Sequence, residues 1–525
     1  MNQDETKISR RTLIKRSIIA GAGIAGASLI GKACYSLLKK NKIEDLYGVY
    51  PSESSLKPLT LANRNAPKPN IILIYCDDLG YGDLSCYGSQ AIRTPNIDAL
   101  ATDGMRFTGF YACNAICAPS RAGLLTGRYP FRTGIIGNPY PKDESLGPKM
   151  IRRAAMGLKA LGVLDLREQY VANGIASQEI TMSEALKVAG YRTGMIGKWH
   201  LGDYSRSPEF NPRRHGFDHY FGVPHSNDMS PCPLYRNEEQ VEPDISFRSE
   251  NEAYQARLTY LYTEEAKQFI QRSDDNPFFL YFAHTFPHQP LHASEKFAGK
   301  SKAGKFGDTV EEIDWSVGEL VRLLKEKNLE RNTMIVFTSD NGPWFEGRTV
   351  FRGRKGQSYE GGFRVPFIAK WPGKIPRGRT VASPVMNIDL FPTFLHLAGV
   401  KPPIDRVVDG KNIFSLLTGN RAESPHEALY FYHYDTLAGI RVNNWKYYNK
   451  INRYVWPIPL DSASAPDKLA PILGNRWPLL YNLALDREES YNVIDSHPRV
   501  ARRLAAMMKN WETAANVNPR GFLLP

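Results

Sequence analysis

From Pro69 onward, short runs of consecutive apolar residues alternate with longer stretches whose apolar positions recur at helical spacing. The runs are too short for helices and read as buried strands, so the alternation predicts an α/β domain with helices on the faces of a sheet. Four of the runs end in polar clusters. Ile71-Ile72-Leu73-Ile74-Tyr75 leads into Asp77-Asp78, and Gly194-Met195-Ile196 into Lys198-Trp199-His200. Phe278-Phe279-Leu280-Tyr281-Phe282 leads into His284 and His288, and Met334-Ile335-Val336-Phe337 into Asp340-Asn341-Gly342. Ligands of open α/β sheets bind beyond the carboxyl ends of the strands, where several loops meet. Four strands that deliver acids, amines and imidazoles to one end therefore predict a single charged pocket. Residues 311–327 read as one of the covering helices.

The texture changes near residue 425. Residues 428–432 and 439–448 resemble paired strands and 479–485 a third. A last helix opens at Ser496-His497-Pro498, with Ser496 as its cap and Pro498 in the first turn. These elements predict a smaller C-terminal α+β domain over residues 426–525, beside a catalytic domain over 67–425. Residues 140–172 form an insertion in the larger domain. There Ile151, Ala155, Leu158 and Leu161 share a helical face, which reads as a helix packed on the body, with a substrate-lining cap or a membrane-surface helix as the alternatives.

Charge adds a destination. The chain has 525 residues and a net charge of +13, and its first residues carry Lys7, Arg10, Arg11, Lys15, Arg16 and Lys32 against Asp4 and Glu5. Ser9-Arg10-Arg11-Thr12-Leu13-Ile14-Lys15, followed by a weakly apolar Gly/Ala-rich stretch, reads as a twin-arginine signal over residues 1–33, with a linker over 34–66. That predicts a bacterial protein carried folded by the Tat translocase to the periplasm or beyond. The remaining basic excess favours anionic substrates by steering. No basic run with interleaved aromatics points to nucleic acid. Cys76, Cys86, Cys113 and Cys232 are too scattered for a disulfide framework.

The candidate chemistry centres on Cys117-Ala118-Pro119-Ser120-Arg121, continuing through Leu124-Leu125-Thr126-Gly127-Arg128. Pro119 suits a first helical turn and Gly127 can end the helix. A cysteine at a helix N-terminus beside Arg121 is expected to be activated. The Cys-x5-Arg loop of thiolate phosphatases is excluded by spacing, because Arg121 stands only four residues on.

This string resembles the signature of the sulfatase family, and the resemblance to its arylsulfatase A-like, formylglycine-dependent members extends from about Asn70 to Asn492. It implies an alkaline phosphatase-like α/β fold, a large mixed sheet sandwiched by helices, with a smaller C-terminal α+β domain. It also implies that a formylglycine-generating or maturase enzyme oxidises Cys117 to formylglycine (3-oxoalanine), whose aldehyde hydrates to a diol. Asp77, Asp78, Asp340 and Asn341, with the modified Cys117, match the family's ligands to one Ca2+. Gly197-Lys198-Trp199-His200-Leu201-Gly202 matches the segment supplying a sulfate-binding lysine, Lys198, and a histidine on the diol, His200. His288 matches the histidine facing the leaving oxygen, Lys355 the second sulfate-binding lysine, and Arg121 the residue that holds the diol. Ser226, in His225-Ser226-Asn227-Asp228, resembles a serine that hydrogen-bonds sulfate. The implied activity is hydrolysis of aryl or carbohydrate sulfate esters to alcohol and inorganic sulfate. The rivals are a phosphatase or phosphonate monoester hydrolase of the same superfamily, and a non-catalytic binder of sulfated glycans. From the residues alone, His284 or His292 could replace His288 as the acid.

Overall fold

Every residue of the strand Asn70–Cys76 is buried, because both faces of the sheet it belongs to are covered. A computed structural model of the chain describes residues 57–62, 68–141, 173–205, 207–272, 276–449 and 477–523, and the backbone of the strands Arg453–Val455 and Ile458–Leu460. The leader, most of the linker and the insertion helix with Ile151, Ala155, Leu158 and Leu161 lie outside the described residues.

Among the described residues the large sheet has ten strands. They are β1 (Asn70–Cys76), β2 (Met105–Phe107), β3 (Arg192–Lys198), β4 (His219–Val223), β5 (Leu234–Arg236), β6 (Glu239–Glu242), β7 (Phe278–Ala283), β8 (Thr333–Ser339), β9 (Phe367–Lys370) and β10 (Arg379–Val381). Their order is β10-β2-β9-β8-β1-β7-β3-β4-β5-β6. The run β8-β1-β7-β3-β4 is parallel, and antiparallel pairs join β9 to β8 and β5 to β4. The four strands read from the sequence are thus four neighbours at the centre of the sheet, all pointing the same way. Their polar ends meet at one edge.

Period two decides which face each side chain serves. Ile71, Leu73 and Tyr75 join one core, with Leu124, Leu125, Leu186 and Phe394 from helices on that side. Ile72, Ile74 and Cys76 join the other, with Leu100, Tyr262 and Val317. The helix expected at 311–327 is longer, Gly304–Glu326, and buries Phe306, Val310, Ile313, Val317, Leu320 and Leu324. Its first turn holds two glycines, Gly304 and Gly307, which hid its start.

The C-terminal part is a four-stranded antiparallel sheet of Leu429–His433, Thr436–Val442, Trp445–Tyr448 and Leu479–Asn482. Two expectations are corrected here. Residues 439–448 are not one strand: the chain turns back at Asn443, whose φ of 52° is a left-handed conformation that asparagine tolerates. Ser496 does not cap the last helix, Pro498–Val517; His497 occupies that position, and the Ser496 hydroxyl donates instead to the Val493 carbonyl at 3.0 Å. Ala501, Leu504 and Met508 of this helix pack with Phe431, Ile440 and Leu480 of the small sheet and with Tyr111 and Phe131 of the large domain.

Candidate active site

Cys117 opens the helix Cys117–Thr126, all of which is buried beneath the strand ends. Gly127 ends it in a left-handed conformation, its N–H donating to the Gly123 carbonyl at 2.8 Å. Ligand-capable atoms of Asp77, Asp78, Cys117 and His288 lie within 4.8 Å of one another. The Cys117 Sγ is 3.9 Å from Asp78 Oδ1, and His288 Nε2 is 3.7 Å from Asp78 Oδ2. The ends of β1 and β7 and the start of the Cys117 helix therefore converge on one point.

Cations fill the spaces between the acids. Lys198 Nζ donates to Asp77 Oδ2 and, at 3.0 Å, to Ser226 Oγ. Lys355 Nζ is 2.8 Å from Asp78 Oδ1. Arg121 donates through Nε and Nη2 to Asp340 Oδ2 at 3.1 and 2.8 Å, and through Nη1 to the Lys198 carbonyl. Asp340 Oδ1 accepts from the Asp78 N–H, and Asn341 Nδ2 donates to Asp78 Oδ1 at 2.7 Å. Ser226 Oγ is also 3.4 Å from His288 Nδ1, so it bridges the lysine and the histidine. Only Lys355 and His288 in this group retain noticeable side-chain exposure, about a tenth each. They mark the mouth.

Burial and charge push these groups in opposite directions. Burial alone would raise Asp77, but Lys198, His288, Arg121 and Lys355 outweigh it and hold the carboxyl well below its usual range. Asp340 is pushed up to about 7, by burial and by the charge of Asp77, against Arg121. Burial works against the charge of Lys355, yet Asp78 and the other acids hold its ammonium protonated. His200 is driven well below its usual range by burial and by Lys198 and Arg121, so it rests as a neutral imidazole.

All eleven residues expected at the site stand at or beside this cluster. Arg121 clamps Asp340 and the Lys198 carbonyl. One expectation is corrected: the Cys117 thiol is not activated as a thiolate, because burial and the charge of Asp77 raise it well above its usual range, over the influence of Lys198 and Lys355. Of the flanking histidines, His284 is buried against Phe282, and His292 pairs with Glu252 at 3.3 Å. Sequence reasoning missed the layer beneath. Asn387 Nδ2 donates to Tyr75 Oη and Ser120 Oγ, its Oδ1 accepts from the Cys113 N–H, and Arg121 lies over the Tyr75 ring. Strand alternation places Tyr75 on that face; nothing in the sequence flags Asn387.

The cluster also has oxygens to offer. Among the described residues, Asp77 Oδ1 and Asn341 Oδ1 are buried and accept no hydrogen bond. Buried oxygens without donors are rare in folded proteins and call for an explanation. A set of carboxylate and amide oxygens suits a hard cation such as Ca2+. The residues fit one.

A central parallel sheet between helical layers, with acids and lysines at its strand ends, defines a hydrolase of alkaline phosphatase-like fold. Residues 69–400 match the family model described as Sulfatase, and residues 349–456 that of N-sulphoglucosamine sulphohydrolase, C-terminal. The chain is 38% identical over 405 residues to the N-acetylgalactosamine-6-sulfatase of Canis lupus familiaris, covering 74% of this chain and 73% of that protein. It is 33% identical to the human steryl-sulfatase, over 70% and 72% of the two chains. A solved Bacteroides thetaiotaomicron structure, from work on the metabolism of multiple glycosaminoglycans, has a TM-score of 0.70 at 29% identity, covering 85% of this chain and all of that one. The chain belongs to the sulfatase family, and is a sulfuric ester hydrolase.

Proposed function

We propose that this protein hydrolyses carbohydrate or aryl sulfate esters with a formylglycine made from Cys117, and that Asp77, Asp78, Asp340 and Asn341 hold a calcium ion beside it. The observation that carries the reading is the convergence of Asp77, Asp78, residue 117 and His288 within 4.8 Å, ringed by Lys198 and Lys355. A hydrated aldehyde at 117 supplies an oxygen nucleophile and a second hydroxyl through which the sulfated side chain can be released. A calcium ion supplies positive charge that lowers the cost of ionising that side chain and of holding sulfate.

The chain's own groups supply the rest. Lys198 and Lys355 bind the sulfuryl oxygens and offset charge that grows on them as the ester bond breaks. Ser226 keeps Lys198 and His288 in register. His288, at the mouth, donates a proton to the departing alcohol. His200, neutral in its buried position, takes the proton from the second hydroxyl, and sulfate leaves. Arg121 fixes Asp340 against the repulsion of Asp77.

The leader string supports export by the Tat translocase to the periplasm or beyond, which lets a maturase act on Cys117 before transport. Peptide mass spectrometry across residues 106–128, on protein from a host able to make the modification, is expected to show the aldehyde or its hydrate. That protein should release sulfate from an aryl sulfate and leave the matching aryl phosphate largely intact. A plain thiol in fully active enzyme overturns the formylglycine reading. Turnover of the phosphate alone overturns the sulfatase reading and favours the phosphatase.

A further inference from the structure

Asn387 is fully buried and comes from a distant part of the chain, yet it ties together three segments beneath the reacting centre. Its Oδ1 accepts from the Cys113 N–H at 2.9 Å, on the stretch that leads into the Cys117 helix. Its Nδ2 donates to Ser120 Oγ at 2.9 Å, to the Ser120 carbonyl at 3.2 Å, and to Tyr75 Oη at 3.0 Å, near the end of β1. Tyr75 Oη and Ser120 Oγ are themselves 3.2 Å apart, so the amide closes a triangle with them. Both neighbours of Asn387 in the chain, Met386 and Ile388, are core residues. An amide in such a place is costly to bury unless its oxygen and nitrogen are both bonded, and here both are.

What the triangle supports is Arg121. This residue follows Ser120 directly in the helix, is fully buried, and holds its guanidinium over the Tyr75 ring at 5.5 Å. From there it reaches Asp340 through two bonds and the Lys198 carbonyl through a third. The helix has no room to slide: a Cβ at Gly123 would collide with Cys113 Sγ and stand 3.3 Å from Ile388. Close packing thus fixes where the helix lies, and the polar triangle decides how Tyr75 and Arg121 are turned.

We infer that Asn387 is a positioning residue for sulfate ester hydrolysis: by pinning Tyr75 and Ser120 it aims Arg121 at Asp340 and keeps the side chain at 117 in register with the acids. This role presupposes the formylglycine reading of residue 117. Asn387 acts through Tyr75, Ser120 and Arg121 rather than on sulfate, so its loss should slow turnover and spare substrate binding. Reacting groups displaced by about 1 Å can lose about a hundredfold in rate. Lys198 and Lys355 are held separately, by Asp77, Ser226 and Asp78, and keep their grip on sulfate.

The test uses the full chain carrying formylglycine, with nitrophenyl sulfate as substrate and rates expressed per modified chain, the modified fraction being read by mass spectrometry. Asn387→Leu, close to asparagine in size, should lower kcat about tenfold or more and leave KM within about twofold. Thr393→Val is the control. Thr393 is equally buried on the adjoining helix, Leu390–Ala398, where its Oγ1 accepts from the Ile413 N–H at 3.0 Å and donates to the Asp389 carbonyl at 2.6 Å. Its loss should lower the thermal midpoint and leave kcat within about twofold. Tyr75→Phe removes only the hydroxyl through which the amide reaches the ring. Added to Asn387→Leu, it should lower kcat by no more than about a further twofold, because what that hydroxyl holds has already been released. Unchanged kcat in Asn387→Leu, a raised KM at unchanged kcat, or equal kcat losses in Asn387→Leu and Thr393→Val each overturn the assignment. So do fully additive effects of Tyr75→Phe and Asn387→Leu. Should Asn387→Leu not fold, Tyr75→Phe alone should lower kcat at least about threefold at constant KM, and an unchanged kcat overturns the assignment. The formylglycine reading fails by a separate route, if wild-type protein bearing the aldehyde releases sulfate from no ester.

Discussion

Two buried charge clusters lie close together along the chain, one reached through Lys355 and the other through Glu360, and they are built on opposite principles. The second joins the C-terminal sheet to the large domain. Glu360 Oε1 accepts from Lys446 at 2.5 Å, and its Oε2 from Tyr111 and Arg364 at 2.6 and 3.1 Å. Glu489 Oε1 accepts from Tyr448, and its Oε2 from the Glu360 N–H at 2.7 Å. All four carboxylate oxygens are matched. In the first cluster Asp77 Oδ1, Asn341 Oδ1 and both ring nitrogens of His200 lack hydrogen-bond partners among the described residues. Each cluster holds one carboxyl low and one high. At the junction burial would raise Glu360, but Lys446, Arg364 and Arg441 hold it down at about 2, while burial and Glu360 raise Glu489. In the site Asp77 is held low while Asp340 is pushed up to about 7. A satisfied buried cluster stabilises the fold; one with orphaned atoms is arranged for something that binds.

The sharpest way to break this contrast is at residue 117. Cys117→Ala should reduce sulfate release by at least about a thousandfold, since the proposed formylglycine cannot form. Its thermal midpoint should stay near wild type. A variant that unfolds early instead would make the thiol a packing element. Next in size, Asp340→Asn should cost about a hundredfold or more in turnover. In chelator it should not lose stability, because an amide relieves the repulsion that raises this carboxyl. Calcium at a hundred times its Kd should stabilise the wild type by about 2.7 kcal/mol and the variant by much less. Differential scanning calorimetry with and without calcium reads both.

The junction should answer in reverse. Lys446 is fully buried between two glutamates, so Lys446→Met leaves uncompensated charge and should cost about 3–5 kcal/mol of stability. Turnover per folded molecule should stay within about threefold of wild type. Urea unfolding and active-site titration separate the two quantities. If turnover collapses while stability holds, the junction is part of the catalytic apparatus and the contrast fails.

Why one cluster was legible in the sequence and the other was not follows from how each is built. The site collects residues from the ends of adjacent parallel strands, and each strand announces itself as an apolar run with its polar cluster directly after. Lys198, His288 and Asp340 could be placed together by that rule alone. Glu360, Lys446 and Glu489 come from a short helix, the middle of an edge-domain strand and a loop, with no shared pattern. Lys446 sits in Trp445–Tyr448, where a lysine reads as solvent-facing. The turn at Asn443 that puts it inside was itself missed. Arg121 shows the limit within the site: its place was readable from the helix, but its partner was not, because Asp340 lies far along the chain.

The smallest effect is also the most direct reading of the contrast, because the two carboxyl groups should tilt stability in opposite directions with pH. Glu360 has a folded value near 2, below its ordinary 4.5, so its contribution is present above the ordinary value and lost as pH falls toward 2. Asp340 has a folded value near 7, above its ordinary 3.8. Between those values the folded state carries the extra proton, so the contribution is full below the ordinary value and is lost as pH rises through 7. One group changes stability by at most about 1.4 kcal/mol per pH unit, and other carboxyls titrate in the same ranges. The informative quantity is therefore the difference between wild type and Glu360→Gln, or wild type and Asp340→Asn, in urea unfolding with chelator present. Relative to each variant, wild type should lose stability on acidification in the first pair and on alkalinisation in the second. Equal signs in the two pairs would mean that the acids of the site are as well matched as those of the junction, and the case for a bound cation would lose its electrostatic support.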